Sequence, residues 1–351
     1  MLTDQVAFVV GVDTHAQTHA LALVDAVSQR TTGTVTITAN RRGYRQALRV
    51  ACRHAPGRRC WALEGTGSYG NGLARFLTER GEQVLEIERP RRQGQRGRLK
   101  TDLLDAERAA RHALAGQAGR QPRLAPETQA LRPLLVAREG AVTARTAACN
   151  ELRALIVTAP AELREQLQGL THTRLLTACS RLRPGNSGNE RAALALALRS
   201  LAQRIQQLTR EADTLERELS RRTKTIAPQL LAQPGVGPIS AAALLIAWSH
   251  PGRLRNEAAF ARLAGTAPIP ASSGKTIRYR LDRGGDRQLN RALHTIILNR
   301  QRTDPTTRAY IQRRQSEGKT RREAIRCLKR YLAREIYQII TSPPEAKPSA
   351  A

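Results

Sequence analysis

Apolar residues fall into distinct rhythms along the chain. Between positions 6 and 39 they form three short runs, VAFVVGV, HALALVDA and GTVTITA, divided by short polar or glycine-containing turns. Runs of that length, rich in Val, Ile and Thr, predict an antiparallel meander. Beyond it a helical stretch over 44–54 leads to the short apolar run CWALEG, then a helix over 72–80, the strand-like QVLEIE and a helix over 102–115. The order β-β-β-α-β-α-β-α predicts a mixed sheet: three antiparallel strands, continued by two that arrive through helices, with helices packed on its faces.

From about 119 to 225 the strand signals vanish and Leu, Ala, Arg and Glu dominate. Helices are predicted over 126–157 and 191–222. In the second, Leu201, Ile205, Leu208, Leu215 and Leu219 recur at three- or four-residue steps, or seven across the Asp213 region. Such a stripe makes either a helix hairpin or a coiled-coil seam. The segment RLRPGNSGN (181–189) is the loop between the two helices. A third region opens near 227 with QLLAQPGVGPISAAALLIAW, passes a Gly/Pro/Ser-rich stretch up to 287 and ends in helices reaching 340. The expected class is therefore α/β plus all-α, with domains at 1–120, 121–225 and 226–340 and a disordered tail at 341–351.

Charge changes the picture more than length does. The 351 residues carry 58 Lys and Arg against 29 Asp and Glu, a formal net charge of +29. A polyanion is the partner such a surface suits. Only six of the basic residues are Lys. Arg forks onto phosphate and stacks on bases, which suits nucleic acid; GC-rich coding explains part of the preference for Arg but not the imbalance of charge. No apolar run reaches the roughly 18 residues of a membrane span, and the N-terminus lacks a secretory pattern, so a cytoplasmic, nucleoid-associated protein with no membrane partner is expected. Cys52, Cys60, Cys149, Cys179 and Cys327 show no paired metal-ligand spacing and are read as reduced, mostly buried thiols.

Four carboxylates stand out in the first region. Asp13 ends the first strand run and Glu64 the fourth, so neighbouring strand ends could bring them to one sheet edge. Asp102 and Asp105, in KTDLLDAE, share one face of a helix start. Singly, each has a plain structural reading as a cap, a dipole partner or a turn residue. Held together, four acids repel unless a cation sits between them, and Mg²⁺ (or Mn²⁺) takes such hard oxygen ligands and can grip a phosphodiester. The basic run just upstream, with Arg91, Arg92, Arg96, Arg98 and Lys100, would bring a nucleic-acid backbone to that metal. His15 and His19 flank Asp13 without a Cys or second His at ligand spacing. They read as surface or satisfied histidines, with proton transfer as the alternative for His15.

In the third region LLAQPGVGPISAAALL has the look of a helix-hairpin-helix. Gly235 and Gly237 would let the backbone approach a phosphate, and a second helix opens with Ser240; the plain alternative is a tight turn with no ligand. Farther on, Ser272, Ser273 and Gly274 precede Lys275, Arg278, Arg280, Arg283 and Arg287. Cations there could stabilise an attacking alkoxide and a phosphorane-like transition state, although a Ser-Ser-Gly loop is most often only a loop.

Taken together, GVDTHAQTHALALVDA, WALEGTGSYG, KTDLLDAERAARHALAG, LLAQPGVGPISAAALL, LAGTAPIPASSGKT and RGGDRQLNRALH resemble the DEDD-type transposases of bacterial insertion sequences. That group includes the Piv-like invertases and the bridge-RNA-guided recombinases, and the likeness covers nearly the whole chain. It implies an RNase H-like (RuvC-like) domain whose metal site is Asp13, Glu64, Asp102 and Asp105, a helical dimerisation segment and a C-terminal transposase domain. In that domain Ser273, or Ser272, is the nucleophile. The implied reaction is DNA strand exchange through a covalent phosphoserine, on double-stranded donor and target DNA, guided by an element-encoded RNA, in a homo-oligomer that is a dimer or a dimer of dimers. Ala16 stands where many relatives carry Lys, and Leu103 where Pro is common. Two alternatives are a RuvC-like metal-dependent DNA hydrolase and a non-catalytic nucleic-acid-binding protein.

Overall fold

The computed structural model describes residues 2–87, 101–116, 120–185, 190–271, 279–280, 282 and 284–342. By the packing of its backbone the chain divides into two compact units, Met1–Ala125 with Trp248–Asn256, and Pro126–Ala247 with Glu257–Ala351.

In the first unit the meander is β1 (Phe8–Thr14), β2 (Thr18–Asp25) and β3 (Thr31–Thr38), followed by α1 (Arg41–His54), β4 (Arg59–Glu64), α2 (Asn71–Thr78), β5 (Gln83–Ile87) and α3 (Asp102–Leu114). The sheet order is β3-β2-β1-β4-β5; the β3/β2 and β2/β1 pairs are antiparallel, and the β1/β4 and β4/β5 pairs parallel. The expected mixed α/β sheet is thus present. Helix α1 starts three residues before the apolar pattern does because Asn40 caps it, its side chain accepting from the Gly43 amide at 3.0 Å. Gly43 is required there, since a Cβ would lie 2.0 Å from the Thr38 carbonyl oxygen.

Period-two alternation sends the strands' side chains to two different layers. Val10, Val12, Leu21, Leu23, Trp61 and Leu63 pack with α1 and α2 residues including Ala47, Leu73 and Leu77. Val9, Val24, Cys60 and Ala62 pack with Ala110, Ala113 and Leu114 of α3, and Ala20 and Ala22 with Ala106. Gly11 lies on that second face, where a Cβ would sit 1.9 Å from the Ala106 carbonyl oxygen. Helix α3 therefore rests directly on the β1 backbone. Of the five cysteines, Cys60 and Cys179 are buried, Cys149 and Cys327 half-buried and Cys52 exposed, fewer buried thiols than composition suggested.

The second unit is nearly all helix: α4 (Pro126–Val157), α5 (Ala161–Leu167), α6 (His172–Ser180), α7 (Glu190–Ile226), α8 (Pro228–Leu231), α9 (Pro238–Trp248), whose last residue begins the segment counted with the first unit, and α10 (Glu257–Leu263). A small hairpin of β6 (Ile269–Pro270) and β7 (Tyr279–Arg280) follows, then α11 (Arg287–Thr303), α12 (Pro305–Ser316) and α13 (Arg321–Thr341). The leucine stripe of α7 is used within the chain. Leu198 and Ile205 are buried in one cluster with Leu152 of α4, Leu163 and Leu167 of α5 and Leu176 of α6, and Arg138 of α4 donates to Glu216 of α7 at 2.8 Å. Helices α5 and α6 have no clear signal in the sequence. Residues 186–189 of the expected loop and 343–351 of the expected tail lie outside the described residues.

Candidate active site

Strand parity places the acids. Asp13 continues the Val9–Gly11 face of β1, and Glu64 the Cys60–Ala62 face of β4, so both stand on the side covered by α3. The parallel pairing ends at Val12–Leu63, one position before them, and Thr14 Oγ1 donates to the Glu64 carbonyl at 2.9 Å, pinning the two strand ends together. Asp13 is buried, 7 % exposed. Asp102 opens α3, whose N-cap Thr101 accepts from the Leu104 amide.

The link between strand and helix is His15. Its Nε2 lies 3.1 Å from Asp13 Oδ2 and 3.5 Å from Asp102 Oδ1. One ligand atom from each of the three falls within 4.8 Å of the others. His15 is half-exposed and bonded to Asp13, in keeping with the sequence reading of a surface or satisfied histidine, and it also stands between two of the acids. His15 lies one residue past the end of β1, so strand alternation alone does not place it. His19, on β2, is paired with Thr14 in the sheet and so takes the other face from Asp13. It packs flat against Tyr44 of α1, rings 5.9 Å apart, and its Nδ1 meets the Thr18 carbonyl at 2.9 Å. Burial is the main cause that lowers its pKa.

Glu64 lines the same cavity as Asp13, a space of about 410 Å³. Asp105 shares the first turn of α3 with Asp102 but accepts from Arg108 at 2.9 Å. Two carboxylates and an imidazole this close fit a divalent cation. The oxygens are the hard donors Mg²⁺ or Mn²⁺ prefers, and the buried Asp13 charge asks for a counter-charge.

Three arginines that sequence reasoning missed line that cavity as well: Arg120, Arg123 and Arg253. Arg120 forms an isolated bridge with Glu86 of β5, Arg120 N to Glu86 O at 3.0 Å. Arg253, in the Trp248–Asn256 segment, is 3 % exposed and its Nη2 lies 3.3 Å from Glu86 Oε2. Burial, then the nearby Arg123 charge, pulls its pKa down to about 10, which leaves it cationic at neutral pH. Carboxylates and guanidiniums lining one cavity suit a phosphodiester, whose charge the arginines would offset. Nothing in the local sequence signals Arg253, which lies 167 residues from its partner Glu86.

The expected backbone-binding residues fare variously. Gly235 has φ +76°, and a Cβ there would be 2.9 Å from the Ile296 carbonyl oxygen of α11, so close packing within the protein accounts for that glycine. Gly237 has open space around its Cα. Arg280 and Arg287 are exposed, on β7 and at the start of α11. The base of the β6/β7 hairpin is cinched: Gly265 and Gly285 approach each other's backbone, and the Asp286 amide donates to the Leu263 carbonyl at 2.7 Å. Ser272, Ser273, Lys275, Arg278 and Arg283 lie outside the described residues, as do Arg91, Arg92, Arg96, Arg98 and Lys100. Among the described residues no helix is long and apolar enough to cross a membrane.

Comparison with known proteins finds transposases. A family profile described as "Transposase IS116/IS110/IS902 family" matches residues 227–312, and a second, described as "Transposase" of the DEDD type, matches 10–159. A "Probable family 20 transposase" of Pseudomonas aeruginosa is 30 % identical over 243 residues, covering 66 % of this chain and 68 % of that protein. The "Insertion element IS110 uncharacterized 43.6 kDa protein" of Streptomyces coelicolor is 37 % identical over 101 residues, 28 % of this chain and 25 % of that one. A protein of insertion element IS900 of Mycobacterium paratuberculosis is 37 % identical over 105 residues, 29 % of this chain and 26 % of its own length. The chain thus spans about a quarter of these last two relatives.

Proposed function

The chain belongs to the IS110/IS116/IS902 family of transposases, and from that premise we propose that it is the recombinase of an insertion sequence. In this reading it cuts and exchanges DNA strands with a divalent cation held by an RNase H-like acid site and a serine nucleophile in its C-terminal domain. The observation that carries the reading is the convergence of Asp13, His15 and Asp102, with Asp13 also lining one cavity with Glu64.

Asp13 and Asp102 would hold the cation with Glu64, and Asp105 completes the acid set if it exchanges its Arg108 partner. Mg²⁺ or Mn²⁺ supplies Lewis-acid stabilisation of the phosphoryl oxygens. His15 keeps Asp13 and Asp102 in place through its Nε2. Arg120, Arg123 and Arg253 orient the phosphate and offset its charge.

The Ser273 hydroxyl, with Ser272 as the alternative, then attacks phosphorus. A bond from Oγ to phosphorus forms as the Oγ proton leaves; the bond to the departing strand oxygen breaks and that oxygen takes up a proton. A hydroxyl of the exchanging strand reverses the step, resealing DNA and restoring the serine. Lys275, Arg278, Arg280, Arg283 and Arg287 are the cations of this half of the site. The proposed partners are double-stranded donor and target DNA, an element-encoded guide RNA and further copies of the chain, as a dimer or a dimer of dimers.

The test is to trap the protein–DNA adduct under denaturing conditions with Mg²⁺ present. An adduct that persists in one single mutant and vanishes in the other names the nucleophile. Cleavage left intact in Ser273→Ala, Ser272→Ala and the double mutant would refute the serine step in favour of metal-assisted hydrolysis. Sequencing RNA that co-purifies at low salt tests the guide, the expected result being one discrete species from the element's own flank.

A further inference from the structure

We propose that the outer face of α1 is a binding surface for the phosphate backbone of duplex DNA, on the opposite side of the sheet from the acid cavity. The proposal rests on the reading of the chain as a DNA-handling protein and adds a contact that neither the acid site nor the basic loops supply.

Arg42, Arg45, Arg49 and Arg53 recur at steps of three, four and four residues along α1, all exposed. At 3.6 residues per turn they fall in a stripe about 80° wide and, from first to last, roughly 16 Å long. With Arg80, Leu48, Cys52 and Phe76 they line an open groove of about 790 Å³ that has no carboxylate among its lining residues. Arg80 forms the other wall, its guanidinium 3.7 Å from the Phe76 ring centroid.

What sets α1 apart from the other arginine-rich helices is the lack of compensation. On α7, Arg221 and Arg222 share Glu218; on α13, Arg330 and Arg334 share Glu257; on α3, Arg108 pairs with Asp105. Helix α1 contains no Asp or Glu, and among the described residues Arg42, Arg45, Arg49 and Arg53 form no ion pair. Like charges one turn apart on a helix repel and destabilise it. A polyanion along the stripe removes that repulsion.

The shape favours a duplex over a single strand. Double-stranded DNA presents one phosphate charge per about 1.7 Å of axis, twice the density of one strand, so about nine charges fall within the length of the stripe, counted around the whole duplex. A straight, preformed row of cations also suits a stiff partner, and duplex DNA stays stiff over roughly 150 base pairs. The inner side of α1 is anchored by buried Gly43, Ala47 and Ala51, so the row is held in place before the partner arrives.

The experiment measures binding of the full-length protein to a fluorescent DNA duplex of about 30 base pairs in chelator, across a range of salt, so that cleavage does not intervene. The variant is Arg42→Gln/Arg45→Gln/Arg49→Gln/Arg53→Gln. If each arginine meets one phosphate, the slope of log K against log salt becomes shallower by about 3–4 and affinity falls by 100-fold or more near 0.1 M salt. The half-variants Arg42→Gln/Arg45→Gln and Arg49→Gln/Arg53→Gln are each expected to lose about half of the slope change, a division that general unfolding would not produce.

An unchanged slope in the quadruple variant overturns the proposal, and so does a loss confined to RNA or to single-stranded DNA. Strand cleavage is scored separately in Mg²⁺ with the wild-type protein. Its absence there would sink the proposed function, while a lost salt slope would still support the α1 surface.

Discussion

The two faces of the five-stranded sheet are filled with different material. Toward α1 and α2 the strands send Leu21, Leu23, Trp61 and Leu63, and the helices answer with Leu73, Phe76 and Leu77. Toward α3 they send Gly11, Ala20 and Ala22 near its first turns and Val9, Val24, Cys60 and Ala62 farther along, and α3 answers with Ala106, Ala110, Ala113 and Leu114. Large side chains hold helices at a distance and supply burial, about 1.5–3 kcal/mol for each Leu-sized group. Small ones let a helix come down onto the strand backbone, so that Asp102 at its first turn reaches the imidazole beside Asp13. The first face carries stability and an arginine row; the second gives up burial for the precision of an acid site.

The sharpest way to break this contrast is Gly11→Leu. With the Cβ position already 1.9 Å from the Ala106 carbonyl oxygen, α3 has no room for the side chain, and no soluble folded protein is expected. Gly11→Ala is the milder probe, predicted to displace α3 and to abolish Mn²⁺ binding as read by water-proton relaxation. Next in size is Asp13→Asn, expected to reduce metal-dependent strand cleavage about a thousandfold, a few kcal/mol of barrier. Its melting temperature in chelator should equal or exceed that of the wild type, because one of the crowded negative charges is gone.

On the large-residue face, Leu77→Ala should cost about 2–5 kcal/mol in denaturant unfolding while leaving Mn²⁺ binding intact. If it weakens metal binding as much as Gly11→Ala does, the division of labour between the faces is wrong. The smallest effect belongs to His19, on the same face. Its folded-state pKa lies below the ordinary value of 6.5, chiefly through burial, so the unfolded chain binds the proton more readily. The stability that neutral His19 contributes is full above the unfolded pKa and is lost as pH falls through it toward the folded one. Unfolding midpoints at pH 7.5 and 5.5 should differ less in His19→Gln than in the wild type, and an equal difference would remove His19 as the cause.

Much of this architecture is legible in the amino-acid sequence. Strand runs, their order and the bounds of α4 follow from apolar periodicity, and Asp13 and Glu64 at strand ends follow from parity alone. His15 lies one residue past the end of β1, beyond the reach of that rule, and ligand spacing points away from it. Arg120, Arg123 and Arg253 are not within reach. A helix face or strand face repeats locally, whereas a cavity gathers residues from loops far apart in the chain, and either Arg in HPGRLRN looks like any of the other arginines. The α7 stripe is recognisable as a stripe, yet spacing does not tell whether its partner is α4 of the same chain. Helices α5 and α6 are short, and the window over which periodicity speaks is longer than they are.

Arg253 reaches the acid cavity in a nine-residue excursion, Trp248–Asn256, that the chain makes between α9 and α10. The acid cavity is therefore not portable. A gene that stops anywhere before codon 248, by deletion or frameshift, encodes all four acids and still leaves Glu86 without its buried cation. Degraded copies of such an element would inherit the acid motifs without Arg253, so a surviving acid signature does not by itself mark a complete cavity.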